Sequence, residues 1–144
     1  MIFVSVTRLR IRALRFIPGF AFHTLQTRTQ VQRAAGFLGG SLLPDRDRAF
    51  WTMTLWRDEA HMRRYMVAGA HLKAMPKLMD WCDEASVVHW SQEGERLPDW
   101  READRRMRAE GRPSKLRHPS AGHPRLDYRE PRTERAVPLR PAAR

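Results

Sequence analysis

The chain has 144 residues, a length that favours one domain, and 42% are hydrophobic, enough to build a core. Its net charge of +11 points toward acidic partners such as nucleic acid or a membrane surface, while a single cysteine excludes an intrachain disulfide and fits a reducing cytoplasm. No apolar run approaches the roughly 20 residues that span a bilayer, and arginines follow the short apolar start instead of preceding it, which does not read as a secretory signal.

Residues 2–9 read as a strand, with Ile2, Val4 and Val6 on one face and Phe3, Ser5, Thr7 and Leu9 on the other. Residues 13–34 read as mainly helical, with a kink or fresh start at Pro18-Gly19. Ile17, Ala21, Thr24, Leu25 and Val31 form the apolar side of that helix, and Phe16, Phe20 and His23 an adjoining stripe. Gly36 suits a left-handed C-cap. A short strand over 37–43 follows, where Gly39-Gly40 predicts a bulge or a close backbone contact. Pro44-Asp45-Arg46-Asp47 turns the chain into a second strand over 48–56, completing a hairpin. Asp58 is placed to cap a helix carrying Met62, Tyr65 and Met66. Gly69 breaks that helix. Pro76 fits the first turn of a further segment, with Leu72, Met75, Leu78, Met79 and Cys82 on one face. Residues 84–91 return to strand.

The order β-α-β-β-α-β is the split pattern of a ferredoxin-like α+β sandwich, with one antiparallel sheet and both helices on one face. We place this domain at residues 1–95. Residues 96–110 add an accessory helix with Pro98 near its start and Leu97, Trp100, Ala103 and Met107 along one stripe. Residues 111–144 hold six of the ten prolines and nine Lys/Arg against Asp127, Glu130 and Glu134, so +6 of the +11 lies there. That composition cannot support a core, and the segment reads as a basic, extended or disordered tail.

A sheet with one wet face has strands that alternate apolar and polar. The strand over 48–56 does not: Ala49, Trp51, Met53 and Leu55 share one face, Phe50, Thr52, Thr54 and Trp56 the other. Leaving such aromatics in water forfeits about 1.5–3 kcal/mol for each Phe-sized side chain. The simplest cover is a second copy of the sheet, packed face to face in a barrel-like homodimer. The alternative is that the accessory helix and tail cover the face within one chain.

Among residues able to carry chemistry, His71 lies just after Gly69, between two helical segments, and His23 shares a stripe with aromatics. Each also reads plainly as a packed or capping histidine. His61 reads as surface or packing, and His89 alternates with Val87 on a strand. There is no His-x-x-x-His or cysteine cluster of metal-ligand spacing. Cys82 reads as a buried thiol. Trp51, Trp56 and Trp90, with Phe20 and Tyr65, are candidates for lining an apolar cavity, against ordinary core packing. The arginines over 8–15 read as a solvated basic surface, and no specific nucleic-acid motif accompanies them.

The junction Phe50-Trp51-Thr52-Met53-Thr54-Leu55-Trp56-Arg57-Asp58-Glu59 has a Trp ending a strand and an acidic cap two residues later. In this, and over about residues 2–91, the chain resembles the dimeric α+β barrel superfamily, which includes antibiotic-biosynthesis monooxygenase-like proteins. Gly36-Phe37-Leu38-Gly39-Gly40, Phe50–Glu59, Gly69-Ala70-His71 and Ala74-Met75-Pro76 resemble a group of bacterial proteins of unassigned function. Leu55-Trp56-Arg57-Asp58-Glu59 is more weakly similar to the spheroidene monooxygenases, which oxidise carotenoids. The resemblance implies a monooxygenase-like homodimer that acts on an apolar organic substrate in a cavity between sheet and helices. Oxygen would be activated by a haem on His71 or His23, or by an electron-rich substrate without a cofactor, with His71 as base. A non-catalytic ligand-binding or accessory barrel, and an anionic-partner binder using the tail, are the rival readings.

Overall fold

The computed structural model describes residues 1–142. Strand β1 (Ile2–Ile11) lies inside the sheet, burying Val4 and Val6 on one face and Phe3 and Ile11 on the helix side, and it pairs antiparallel with β3 (Ala49–Trp56) and β4 (Cys82–Gln92). β2 (Phe37–Pro44) completes the hairpin with β3. Two short strands from the tail, β5 (Arg112–Pro113) and β6 (Val137–Leu139), extend the order to β5-β4-β1-β3-β2-β6. The inner four strands have the ferredoxin-like arrangement. The fold is α+β, with one antiparallel sheet and helices packed on it.

The helices α1 (Ile17–Arg33), α2 (Glu59–Met66) and α3 (Gly69–Trp81) occupy one sheet face. Pro18 opens α1, so the chain makes a fresh start there after a short 3₁₀ turn over Leu14–Phe16. Asp58 caps α2 by accepting the His61 N–H at 2.9 Å. Gly36 has φ +82°, and a Cβ there would collide with the His61 ring. Gly40 lets the β2 backbone approach the Met53 carbonyl where a Cβ would clash, and the β2–β3 register shifts beside Gly39.

Three helix expectations are corrected. α3 begins at Gly69, so Pro76 sits inside it and His71 lies in its first turn. Pro76 is on the solvent side, where water serves the Leu72 carbonyl that the missing N–H frees. Cys82 leaves the helix and begins β4, where it is buried with Ile11 and Phe20. Leu25 and Leu72, assigned to apolar faces, are exposed.

The second sheet face carries Val4, Val6, Trp51, Met53, Leu55, Val88 and Trp90. It is covered within the chain. α4 (Trp100–Glu110), capped by Asp99, lays Trp100, Ala103 and Met107 on this face. The Trp100 and Tyr128 rings both meet Trp51 edge-on, at 6.0 and 5.6 Å. Beyond α4 the chain is largely irregular, yet it lies along the sheet and is not free of it. The His123 imidazole receives the Ala85 N–H and donates to the Ser114 carbonyl. Leu139 is buried, and Asp45 accepts from both Trp51 Nε1 and the Arg132 N–H. Low apolar content rules out a separate core but not a few well-spaced anchors on a core that already exists. The aromatics of this face therefore meet their own C-terminal segment where the alternation alone points to a second copy.

Trp100→Ala should cost about 3–5 kcal/mol, read as a fall in the denaturant midpoint, because it opens a void over Trp51 that the sheet cannot close. The exposed Leu97→Ala should shift that midpoint by about 0.5 kcal/mol or less.

Candidate functional site

His71 is held from two sides. No side chain of the Ala68 N-cap closes α3, so its first turn is capped from α1: Gln30 Oε1 accepts the His71 N–H at 2.8 Å, and Gln30 Nε2 donates to the Ala68 carbonyl at 2.8 Å. The imidazole Nδ1 lies 3.0 Å from the Met66 carbonyl. A carbonyl only accepts, so Nδ1 carries the proton and Nε2 keeps its lone pair. Burial lowers the His71 pKa and outweighs the opposing hydrogen bond to Met66, which favours the neutral ring near pH 7.

Behind this imidazole runs a file of aromatics. The Tyr65 ring centre is 4.9 Å from His71, Trp56 is 5.3 Å from Tyr65, and Phe37 is 5.5 Å from Trp56. Tyr65 is on α2, Trp56 ends β3 and Phe37 begins β2, so the file runs from the helix layer into the sheet. Burial pushes the Tyr65 phenol well above its ordinary range, so it stays protonated.

The other candidates lie elsewhere. His23 Nε2 is 3.3 Å from Lys77 Nζ, and its ring lies 5.7 Å from Trp81. Burial, then the Lys77 charge, lowers its pKa. Seven residues separate His23 from Gln30 along α1, about 10 Å of helix rise, so His23 and His71 serve opposite ends of the α1–α3 pair. Phe20 packs on Phe50 at 4.8 Å, near the His23 end. Trp51 and Trp90 are on the α4 side of the sheet, where Arg106 lies 4.6 Å above the Trp90 ring. The five aromatic candidates therefore divide between two faces and cannot line one cavity. His89 stacks on Phe3 at 5.2 Å on the helix side, and His61 pairs with Asp58 at 2.7 Å. Burial, with the Asp83 charge, pushes the Cys82 thiol up to about 12, which keeps it unreactive.

A second cluster was not foreseen. Arg8, read as part of a solvated stripe, is buried and donates to Glu84 Oε1 at 2.7 Å. Glu84 also accepts from Arg10 at 3.2 Å and from Ser120 at 2.9 Å. The Tyr128 ring is flanked by Arg8 and Arg108 at 4.3 and 4.2 Å, and its hydroxyl donates to Asp104 at 2.7 Å. Burial works to raise the Glu84 carboxyl, but hydrogen bonds from Arg8 and Ser120 and the charges of Arg8 and Arg10 hold it below its ordinary range. Only the alternation of β1, which puts Arg8 in line with Val4 and Val6, could have marked this arginine as buried.

Two cavities stand out. One of about 250 Å³ lies between α4 and the tail, bordered by Trp100, Arg101, Asp104 and Glu134. The other, of about 10 Å³, is beside Arg8, Glu84 and His123 and has room for about one water. Neither touches His71 or His23. Haem, which the resemblance offered, does not fit at His23. His23 Nε2 faces the Lys77 ammonium at 3.3 Å, which occupies the lone pair an iron would need. Among the described residues, no group of three or more His, Cys, Asp or Glu side chains is placed to hold a metal ion. No helix there is long and apolar enough to cross a membrane.

The sequence profile of DUF3291, a domain of unknown function, matches residues 7–115. The chain belongs to the DUF3291 family. The match reaches past β4 through α4, so the helix over the second sheet face lies within the family region. Comparison with the curated proteins finds no match. Among solved structures, the DUF3291 chain is similar to SnoaB, a cofactor-independent oxygenase from Streptomyces nogalater. The identity is 18%, 65% of this chain and 95% of that one are covered, and the TM-score is 0.54. A putative antibiotic biosynthesis monooxygenase from Nitrosomonas europaea is 14% identical, covering 64% and 90%, with a TM-score of 0.57. Rv0793 from Mycobacterium tuberculosis is 9% identical, covering 66% and 98%, with a TM-score of 0.59. At such identities the likeness establishes the monooxygenase-like fold and leaves the chemistry to the residues.

Removing one member of a buried pair strands the other. Glu84→Gln should destabilise the DUF3291 chain by about 3–5 kcal/mol at neutral pH, whereas Arg8→Met with Glu84→Leu should be far milder. Because the Glu84 pKa is lowered on folding, its contribution is present above about pH 4.5 and lost as the pH falls further. Urea unfolding across pH 3–7 should show that acid limb in the parent and not in the double variant.

Proposed function

We propose that this chain is a cofactor-independent, monooxygenase-like enzyme that uses His71 Nε2 as a general base on an apolar, electron-rich substrate. The observation that carries the proposal is the His71 tautomer: Nδ1 spends its proton on the Met66 carbonyl, which leaves Nε2 free to take one. The half-buried Tyr65 and the buried Trp56 behind it supply a wall against water. The likeness in fold to a cofactor-independent oxygenase supports the same reading. We place substrate approach at the exposed Val67-Ala68-Gly69 junction, the solvent-facing segment next to His71 in the chain.

The chemistry closes without an outside reductant. Nε2 removes a proton from an activated methylene of the substrate. The resulting carbanion passes electrons to O₂ and forms a C–O bond, and the imidazolium returns the proton to give a hydroperoxide. Loss of water leaves a carbonyl, so one oxygen atom enters the product and the other leaves as water. The substrate is the only electron donor.

With oxygen uptake measured on apolar polycyclic substrates bearing an activated methylene, His71→Ala should lower turnover by about 10²–10⁴-fold. His23→Ala should leave it unchanged. Because burial lowers the His71 pKa, the rate should rise with pH along a limb centred below the ordinary histidine value of about 6.5, and stay flat above it. An unchanged rate in His71→Ala would overturn the assignment.

A non-catalytic apolar-ligand barrel is the second reading. It is favoured by the complete burial of Trp56 and by cavities that do not adjoin His71. It predicts ligand binding with no oxygen consumption. As for assembly, a homodimer built face to face on the sheet would have to displace α4 and Tyr128. We read the working unit as one chain, and sedimentation equilibrium should return the 16.9 kDa mass.

A further inference from the structure

The helix layer keeps large apolar side chains in water. Phe22 and Leu25 on α1 are 58% and 63% exposed, and Leu72 on α3 is 52% exposed. Val67, at the α2–α3 junction, is also exposed. Phe22 and Leu25 lie three residues apart on the solvent face of α1, with Pro18 and Ala21. α3 runs antiparallel beside α1: Lys77 meets His23 at one end, and His71 meets Gln30 at the other. Leu72, Lys73, Pro76 and Lys77 are exposed along α3, on the same outer layer as Phe22 and Leu25.

The charge of the α1–α3 pair is mostly positive. α1 carries Arg28 and Arg33 and no acid. α3 carries Lys73 and Lys77, and its one acid, Asp80, is engaged by Arg12 at 3.7 Å and His118 at 3.4 Å. Exposed Phe and Leu beside lysines on helices lying flat in one layer are what an anionic lipid surface takes up. A second copy of the same face would bring like charges together. Nucleic acid would use the lysines and leave the Phe22 and Leu25 side chains unburied.

We propose that the α1–α3 face docks on an anionic bilayer surface, with Phe22, Leu25 and Leu72 entering the headgroup–acyl boundary and Arg28, Lys73 and Lys77 on the lipid phosphates. This docking does not depend on the oxygenase reading.

The test is co-sedimentation of the full chain with phosphatidylcholine vesicles and with phosphatidylcholine–phosphatidylglycerol vesicles. Retention is expected on the mixed vesicles only. Phe22→Ser with Leu25→Ser should lower it about tenfold or more, and Lys73→Glu with Lys77→Glu by a similar factor. Both double variants should keep the parent's circular dichroism and melting curve, since all four residues are exposed. As an independent readout, Phe22→Trp should shift its fluorescence to the blue on mixed vesicles and not on phosphatidylcholine alone. The proposal fails if the parent is not retained. It also fails if retention survives both double variants but is lost in Arg125→Glu/Arg135→Glu/Arg140→Glu, which would assign it to the tail. Duplex DNA binding with no vesicle retention, or a dimer that Phe22→Ser/Leu25→Ser dissolves, would assign the face to another partner.

Discussion

β3 is apolar on both faces, and the rest of the chain is arranged to keep both of them dry. Trp51, Met53 and Leu55 point one way and Trp56 the other, and all four are buried. The helix layer closes the Trp56 side through Met62 and Val31. The Trp51 side needs a second cover, and α4 supplies it through Trp100, Ala103 and Met107. The tail adds Tyr128 on that face and pairs both outer strands, β4 through β5 and β2 through β6. The sheet thus loses its open face and part of the edges of β2 and β4 together, which blunts the common routes to uncontrolled association.

The Arg8–Glu84 pair follows from that closure. An arginine in line with Val4 and Val6 must be buried once the tail comes down, and a buried guanidinium without a partner is costly. Glu84 on the neighbouring strand meets it, Ser120 completes the carboxylate's contacts, and Tyr128 covers the guanidinium. Such a pair adds little net stability over an apolar filling, but it makes any other placement of the tail expensive. The polar cluster gives the tail its register, while the apolar anchors give it adhesion.

The site depends on the opposite face. Gln30 closes the first turn of α3 from a neighbouring helix, and this fixes where His71 begins. The Met66 carbonyl, left free where α2 ends, then selects the tautomer. A break between two helices thus becomes an oriented base, through helix-end carbonyls and N–H groups that would otherwise lack partners. The outer surfaces of α1 and α3, which take no part in this, carry the apolar and cationic residues we assign to a lipid surface.

Local rules determined the element order, the Asp58 cap, the break at Gly69, the close backbone approach at Gly40 and the doubly apolar character of β3. These depend on dihedral preference and on period-2 or period-3.6 alternation, which are written in neighbouring residues. Tertiary structure alone decided what covers β3, because a second copy and a C-terminal segment satisfy the same alternation. It also decided that Pro76 stays inside α3, where solvent can serve a freed carbonyl. The tail's docking was not legible, since His123, Tyr128 and Leu139 follow no period and each finds a different partner. The same holds for His71: its place after Gly69 was readable, but its proton is set by Met66 and its position by Gln30, 41 residues earlier. Contacts across such separations depend on packed geometry, and no local pattern encodes them.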